Sequence, residues 1–145
     1  MIRYLLGGTM FLVGATAALQ PPINAALAKR TGSLEAAAVS FVVGTVALVI
    51  ISLLMPGGSY AAVRGAPTWE LTGGLIGALF VASTIFLIPR LGATGIIAGI
   101  IAGQLAGAVL VDQFGLFGIP QASVSWQRAL GLLLLIIGGL LAVRR

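Results

Sequence analysis

The 145-residue sequence has no cysteine, no histidine and only three carboxylates, Glu35, Glu70 and Asp112. Without cysteine there are no disulfides and no thiolate nucleophile. Without histidine there is no imidazole base, no catalytic triad and no Cys/His metal centre. No nucleophile–base pair remains, so no enzyme, metal site or cofactor is expected. Charge is also scarce, at 8% of residues against about 25% in a soluble domain. The balance of eight Lys/Arg over three acids gives +5, but the basic residues stand singly or in pairs among apolar runs. They form no basic face, which excludes nucleic acid as a partner. What is abundant is apolar surface, at 59% of residues, and glycine, at 21 residues. The class that survives is an integral membrane protein, with the lipid bilayer as its first partner.

A bilayer core about 30 Å thick takes roughly 20 helical residues to cross. Charges and turn residues cut the chain into five such pieces, at about 4–28, 34–55, 69–88, 91–111 and 126–143. The cuts are Lys29-Arg30, Pro56-Gly57-Gly58, Pro89-Arg90, Asp112 and the terminal Arg144-Arg145. Tyr4, Trp69 and Trp126 fall at span ends, where amphipathic rings anchor at headgroup depth. Ser33 suits an N-cap, with Glu35 in the first turn beyond it, where the helix dipole favours a carboxylate. Arg3, the run from Leu5 to Val13 and Ala26-Leu27-Ala28 together imitate a signal peptide. The segment is long enough to span, however, and four more spans follow, so it reads as a retained helix. The chain is expected to be a single transmembrane domain over 1–145.

The first span carries a polar stripe of Thr9, Thr16, Gln20 and Asn24, which fall on one face at about 100° per residue. Polar groups avoid lipid, so this stripe should face other helices or a wet cavity. Pro21 and Pro22 interrupt the span and take away the donors that the carbonyls of Ala17 and Ala18 would use. Transporters present backbone groups to substrate at such interruptions. A simple proline kink, with Gln20 and Asn24 bonded to neighbouring helices, is the other reading. Gln104 on the fourth span is the further polar residue suited to a cavity, and Ser40, Phe41 and Phe80 could line a substrate path. No ionisable residue lies near the middle of a span, where proton relays and charged-substrate sites usually place one.

Glycine marks the packing faces. Gly95, Gly99, Gly103 and Gly107 recur every four residues, a spacing that allows close backbone approach in lipid. Gly73, Gly74, Gly77 and Thr84 cluster on one face of the third span. Gly131 and Gly138 lie on a narrow stripe of the fifth.

These motifs occur in a recognisable order. Gln20-x-x-x-Asn24, Gly32-Ser33, Ser40-Phe41-x-x-Gly44-Thr45, Gly73-Gly74-x-x-Gly77-Ala78, Leu91-Gly92-Ala93 and Gly103-Gln104 are followed by 112–118 and Arg128-x-x-Gly131. Together they resemble the YdcZ-like family of the drug/metabolite transporter superfamily, over essentially the whole chain. Gln113 stands where that family usually has histidine. The resemblance implies a five-helix half-transporter in the inner membrane, with a last helix like the dimer-forming helix of small multidrug resistance proteins. The first-helix carboxylate of those proteins is absent here, where Val13 and Gly14 stand.

The leading expectation is a secondary transporter of small organic solutes. A non-transporting subunit that docks a partner through its glycine faces is the alternative. A small channel is third, lacking charge rings or filter-like carbonyl runs. Five helices with no obvious internal repeat are few to enclose a cavity, and transporters of this kind use inverted repeats. An antiparallel homodimer is therefore expected. Arg3, Arg64 and Arg128 would lie on one side of the membrane and Lys29, Arg30, Arg90, Arg144 and Arg145 on the other, a small bias that orients the chain only weakly.

Overall fold

The helices of this protein, seen in a computed structural model, begin and end where proline, glycine and polar clusters interrupt the apolar runs. The structure describes residues 2–55 and 57–143. Pro56, Arg144 and Arg145, which entered the expectations above, lie outside the described residues, as does the side chain of Arg3. The elements are α1 (Ile2–Ala17), α2 (Gln20–Thr31), α3 (Ser33–Leu54), α4 (Gly73–Phe114) and α5 (Trp126–Val143). Short 3-10 turns at Tyr60–Gly65, Thr68–Thr72 and Leu116–Gly118 connect them, and no strand occurs among the described residues.

Four helical stretches are long and apolar enough to cross a membrane: Tyr4–Thr31, Ser33–Leu54, Thr68–Phe114 and Trp126–Val143. Five were expected, and the difference lies in the third stretch. A straight helix of 42 residues would measure about 63 Å, about twice a bilayer core. The backbone leaves helical geometry inside α4 at Gly92, with φ 69° and ψ 169°. The break therefore falls three residues beyond Pro89, where the sequence placed it. Proline deletes one hydrogen bond while keeping a helical φ, whereas glycine alone tolerates the conformation that turns the chain.

A similar glycine joins α2 to α3. Gly32 has φ 100° and ψ 159°, and its N–H still donates to the Ala28 carbonyl at 2.9 Å. It closes one helix and opens the next, since the Ala36 N–H donates to its carbonyl at 3.0 Å. Gly32, and not Ser33, is thus the N-cap of α3, with no side-chain capping bond. Ser33 is already helical because the glycine alone makes the corner. The Glu35 carboxylate folds back over Gly32.

The chain packs as two compact units, Met1–Pro89 and Arg90–Arg145. In the first, α2 lies along α3, and the core is Ala36, Ala37, Val81 and Ile85, flanked by Leu27, Ala28, Phe41 and Ala82. Two alanines facing a neighbouring helix allow the backbones to approach as small residues do in lipid. The ring of Phe41 sits over Gly77, so that a β-carbon there would come to 3.3 Å. In the second unit, α5 rests on the second half of α4. Gly139 faces Ala98, and Gly95 faces Val143. Large apolar side chains elsewhere, such as Phe11, Leu48, Leu54 and Leu134, are exposed, as suits surfaces turned to lipid.

Candidate substrate site

The interruption of the first span positions the site. The helix stops after Ala17, turns through Ala18 and Leu19, and restarts with Pro21 and Pro22 in the first turn of α2. Proline suits that turn because its missing N–H would have no intrahelical partner there. Across the break the Leu19 N–H donates to Thr16 O at 3.0 Å, and the Ile23 N–H to Leu19 O at 3.2 Å. The usual donors to the carbonyls of Ala17 and Ala18 would be residues 21 and 22, which as prolines have none.

The break also divides the expected polar stripe. Thr9 and Thr16 on α1 are exposed and return their hydroxyls to the carbonyls of Leu5, at 3.0 Å, and Val13, at 2.8 Å. Gln20 is exposed, while Pro21 and Asn24 are buried. Asn24 is 5% exposed, and its Nδ2 is buried without a hydrogen-bond partner. An amide donor sealed away unpaired costs about 1–3 kcal/mol, so this is an expensive group to keep in an apolar helix. Asn24 shares a helix face with Leu27 and Ala28, at i+3 and i+4, and those two pack on the core beside Phe41.

The remaining predicted residues divide between the units. Ser40 and Phe41 are half-buried, and Phe80 is 38% exposed; all three lie in the first unit. Gln104 lies in the second and is exposed. A cavity of about 260 Å³ occurs elsewhere in the first unit, lined by Ser52, Met55, Gly58, Ser59, Tyr60 and Val63, with Ser52 Oγ bonded to Tyr60 Oη. None of the predicted site residues lines it.

Sequence reasoning assigned Thr84 to a packing face. It is 6% exposed and, with Asn24, makes up the buried polar residues among those described. Its hydroxyl donates to Val81 O at 2.8 Å, leaving lone pairs to accept another bond. Its place, with Ser83, in an otherwise apolar run was the available signal. Gln113, singled out in the sequence only for standing where histidine is usual, has a bonding role: its Oε1 accepts the Val124 N–H at 2.8 Å, and its carbonyl accepts from Gln121 Nε2 at 2.9 Å. With Arg128 Nη1 donating to Asp112 Oδ2 at 3.1 Å, these bonds tie residues 121–128 to the end of α4.

The glycine faces are mostly unfilled within the chain. Gly99, Gly103, Gly107, Gly131 and Gly138 have no neighbour within 4 Å of where a β-carbon would stand. Among the described residues no cluster could hold a metal ion, and no charged side chain is buried.

A chain whose described helices include four stretches long and apolar enough to cross a membrane is a multi-pass membrane protein. It belongs to the YdcZ family of the drug/metabolite transporter class, whose family model, described as "Putative inner membrane exporter, YdcZ", matches residues 5–141. It is also 35% identical over 77 residues to the inner membrane protein YdcZ of Escherichia coli (strain K12), a match covering 53% of this chain and 51% of that protein. The matched stretch thus spans about half the length of that curated relative. No solved structure matches the chain. Family and helices together place the protein in the inner membrane.

Proposed function

We propose that this protein is a secondary transporter of small organic solutes, working by alternating access across an antiparallel homodimer. The observation that carries the reading is the unpaired amide of Asn24, buried one turn after a proline-interrupted span. A structural asparagine would bond a neighbour. An unpaired one fits a donor whose partner arrives as substrate, while the break at Ala18–Leu19 supplies a flexible joint. Gln20, Gln104, Ser40, Phe41 and Phe80 are assigned to the substrate path. α4 is read as two crossings meeting at Gly92, which makes five spans in a single transmembrane domain. The open glycines of α4 and the Gly131–Gly138 stripe of α5 are assigned to contact with the second copy, because nothing in the protomer fills them.

The test of transport is flux through purified protein in liposomes, with Gln20, Asn24 and Gln104 each replaced by leucine. Loss of flux in folded variants is expected, and wild-type flux in all three would sink the assignment. The dimer is tested by tagging the C-terminus and probing it from each side of intact cells. Tags on one side only, with no partner subunit copurifying, would defeat the antiparallel arrangement.

A further inference from the structure

The sequence shows no obvious repeat, yet residues 21–37 and 81–97 share several features at an offset of sixty. Pro21 and Val81 are buried, then the polar residues Asn24 and Thr84, at 5% and 6% exposure, and then Ala36 and Ile96. Arg30 and Arg90 stand two residues before Gly32 and Gly92, which both have positive φ, with ψ of 159° and 169°. One helix-glycine-helix unit thus occurs twice, and each copy carries one buried polar residue eight positions before its corner.

We propose that Asn24 and Thr84 are the paired recognition groups of a binding site in the first unit, and that the site takes small uncharged polar solutes, amides or polyols. This rests on the transporter reading above and names its substrate class. Asn24 shares its helix face with Leu27 and Ala28, and Thr84 lies one turn from Val81 and next to Ile85. Those four residues pack in a single core cluster, so both polar groups belong to faces that meet there. Chemically they are complementary. The Asn24 amide offers a free N–H, while the Thr84 hydroxyl has spent its proton on Val81 O and offers a lone pair. A hydroxyl or amide group, which both accepts and donates, satisfies the two together. A carboxylate would leave Thr84 facing an acceptor, and an ammonium would leave Asn24 facing a donor. Either charge would also lose its hydration with no buried charge to offset it among the described residues.

The experiment loads proteoliposomes with a mixture of polyols, simple amides, carboxylates and primary amines, and follows efflux by mass spectrometry against protein-free vesicles. Polyols or amides are expected to leave faster than from empty vesicles. Asn24→Leu and Thr84→Val should each reduce that excess at least tenfold, while Thr84→Ser, which keeps the hydroxyl, should retain it. Circular dichroism and gel filtration confirm that each variant is folded. Excess efflux confined to carboxylates or amines overturns the substrate class and leaves the transporter reading standing, as does wild-type efflux of neutral solutes from Thr84→Val. No excess efflux of any class overturns the transporter reading itself.

Discussion

The segments 21–37 and 81–97 share a glycine corner and a buried polar residue, and they differ in what surrounds both. In the second, the polar residue is threonine, and its hydroxyl is satisfied by its own helix at Val81 O. In the first, it is asparagine, and the amide nitrogen is left with nothing. The first copy also begins at a double proline after a helix break, whereas the second continues an unbroken helix from Gly73. A shared scaffold of buried apolar residues and a glycine corner thus carries one closed and one open polar position. The lesson concerns where function sits. The common parts fix the backbone, and the departure from them, the unpaired donor beside the broken helix, is the expensive feature that folding alone does not require.

The largest test breaks the scaffold. Gly32→Ala places a β-carbon at φ 100°, a region open essentially to glycine, and drives it into the Glu35 carboxylate. A loss of about 2–3 kcal/mol is expected, read as a fall in melting temperature or folded yield in detergent. Gly92→Ala, at φ 69°, should lose a similar amount through backbone strain. Adding Glu35→Ala should recover only the steric part of the Gly32→Ala defect. Gly44→Ala, with φ in the helical range and open space around it, is the control and should lose nothing. Equal behaviour of all three glycines would mean that the two corners are not the shared element.

The next test sharpens the difference between the copies. Asn24→Leu removes a buried unpaired donor and should raise stability by about 1 kcal/mol while abolishing flux, a trade of activity for stability. Thr84→Val removes a hydroxyl that is already bonded locally, so its stability should change by less than about 0.5 kcal/mol. If Asn24→Leu is instead the more damaging of the two to melting, the amide is satisfied in the membrane and the contrast dissolves.

Much of this was legible in the chain itself. The ends of α3 and α5 followed from charges, turn residues and an aromatic anchor, because the cost of burying a charge or a broken backbone in lipid is large enough to override local propensity. The interruption at Pro21-Pro22 was visible for the same reason. The repeat was not, because between 21–37 and 81–97 only Leu27 and Leu87, Arg30 and Arg90, and Gly32 and Gly92 are identical. What repeats is the positive φ of one glycine and the burial of three positions, which different residues satisfy equally. Pro89 marks a break in the sequence three residues before Gly92 makes it in three dimensions. The partner of a buried amide lies on another helix or on none, so the isolation of Asn24 could not be read from its neighbours in the chain.

The smallest expected effect concerns the glycine faces, where the two units differ. Gly77 in the first is filled by Phe41, so Gly77→Ala should cost at most about 1 kcal/mol as the ring gives way. Gly99 and Gly103 in the second face open space in the protomer, so leucine at either should leave the folded monomer unaffected. If those glycines meet a second copy, the same substitutions should weaken association, because bulky groups hold two backbones apart. Cross-linking in membranes, set beside melting of the detergent-solubilised monomer, separates the two outcomes. A drop in dimer with an unchanged melting point assigns the face to the interface. Unchanged cross-linking would turn it to lipid, and the antiparallel contact would then rest on the Gly131–Gly138 stripe of α5 alone.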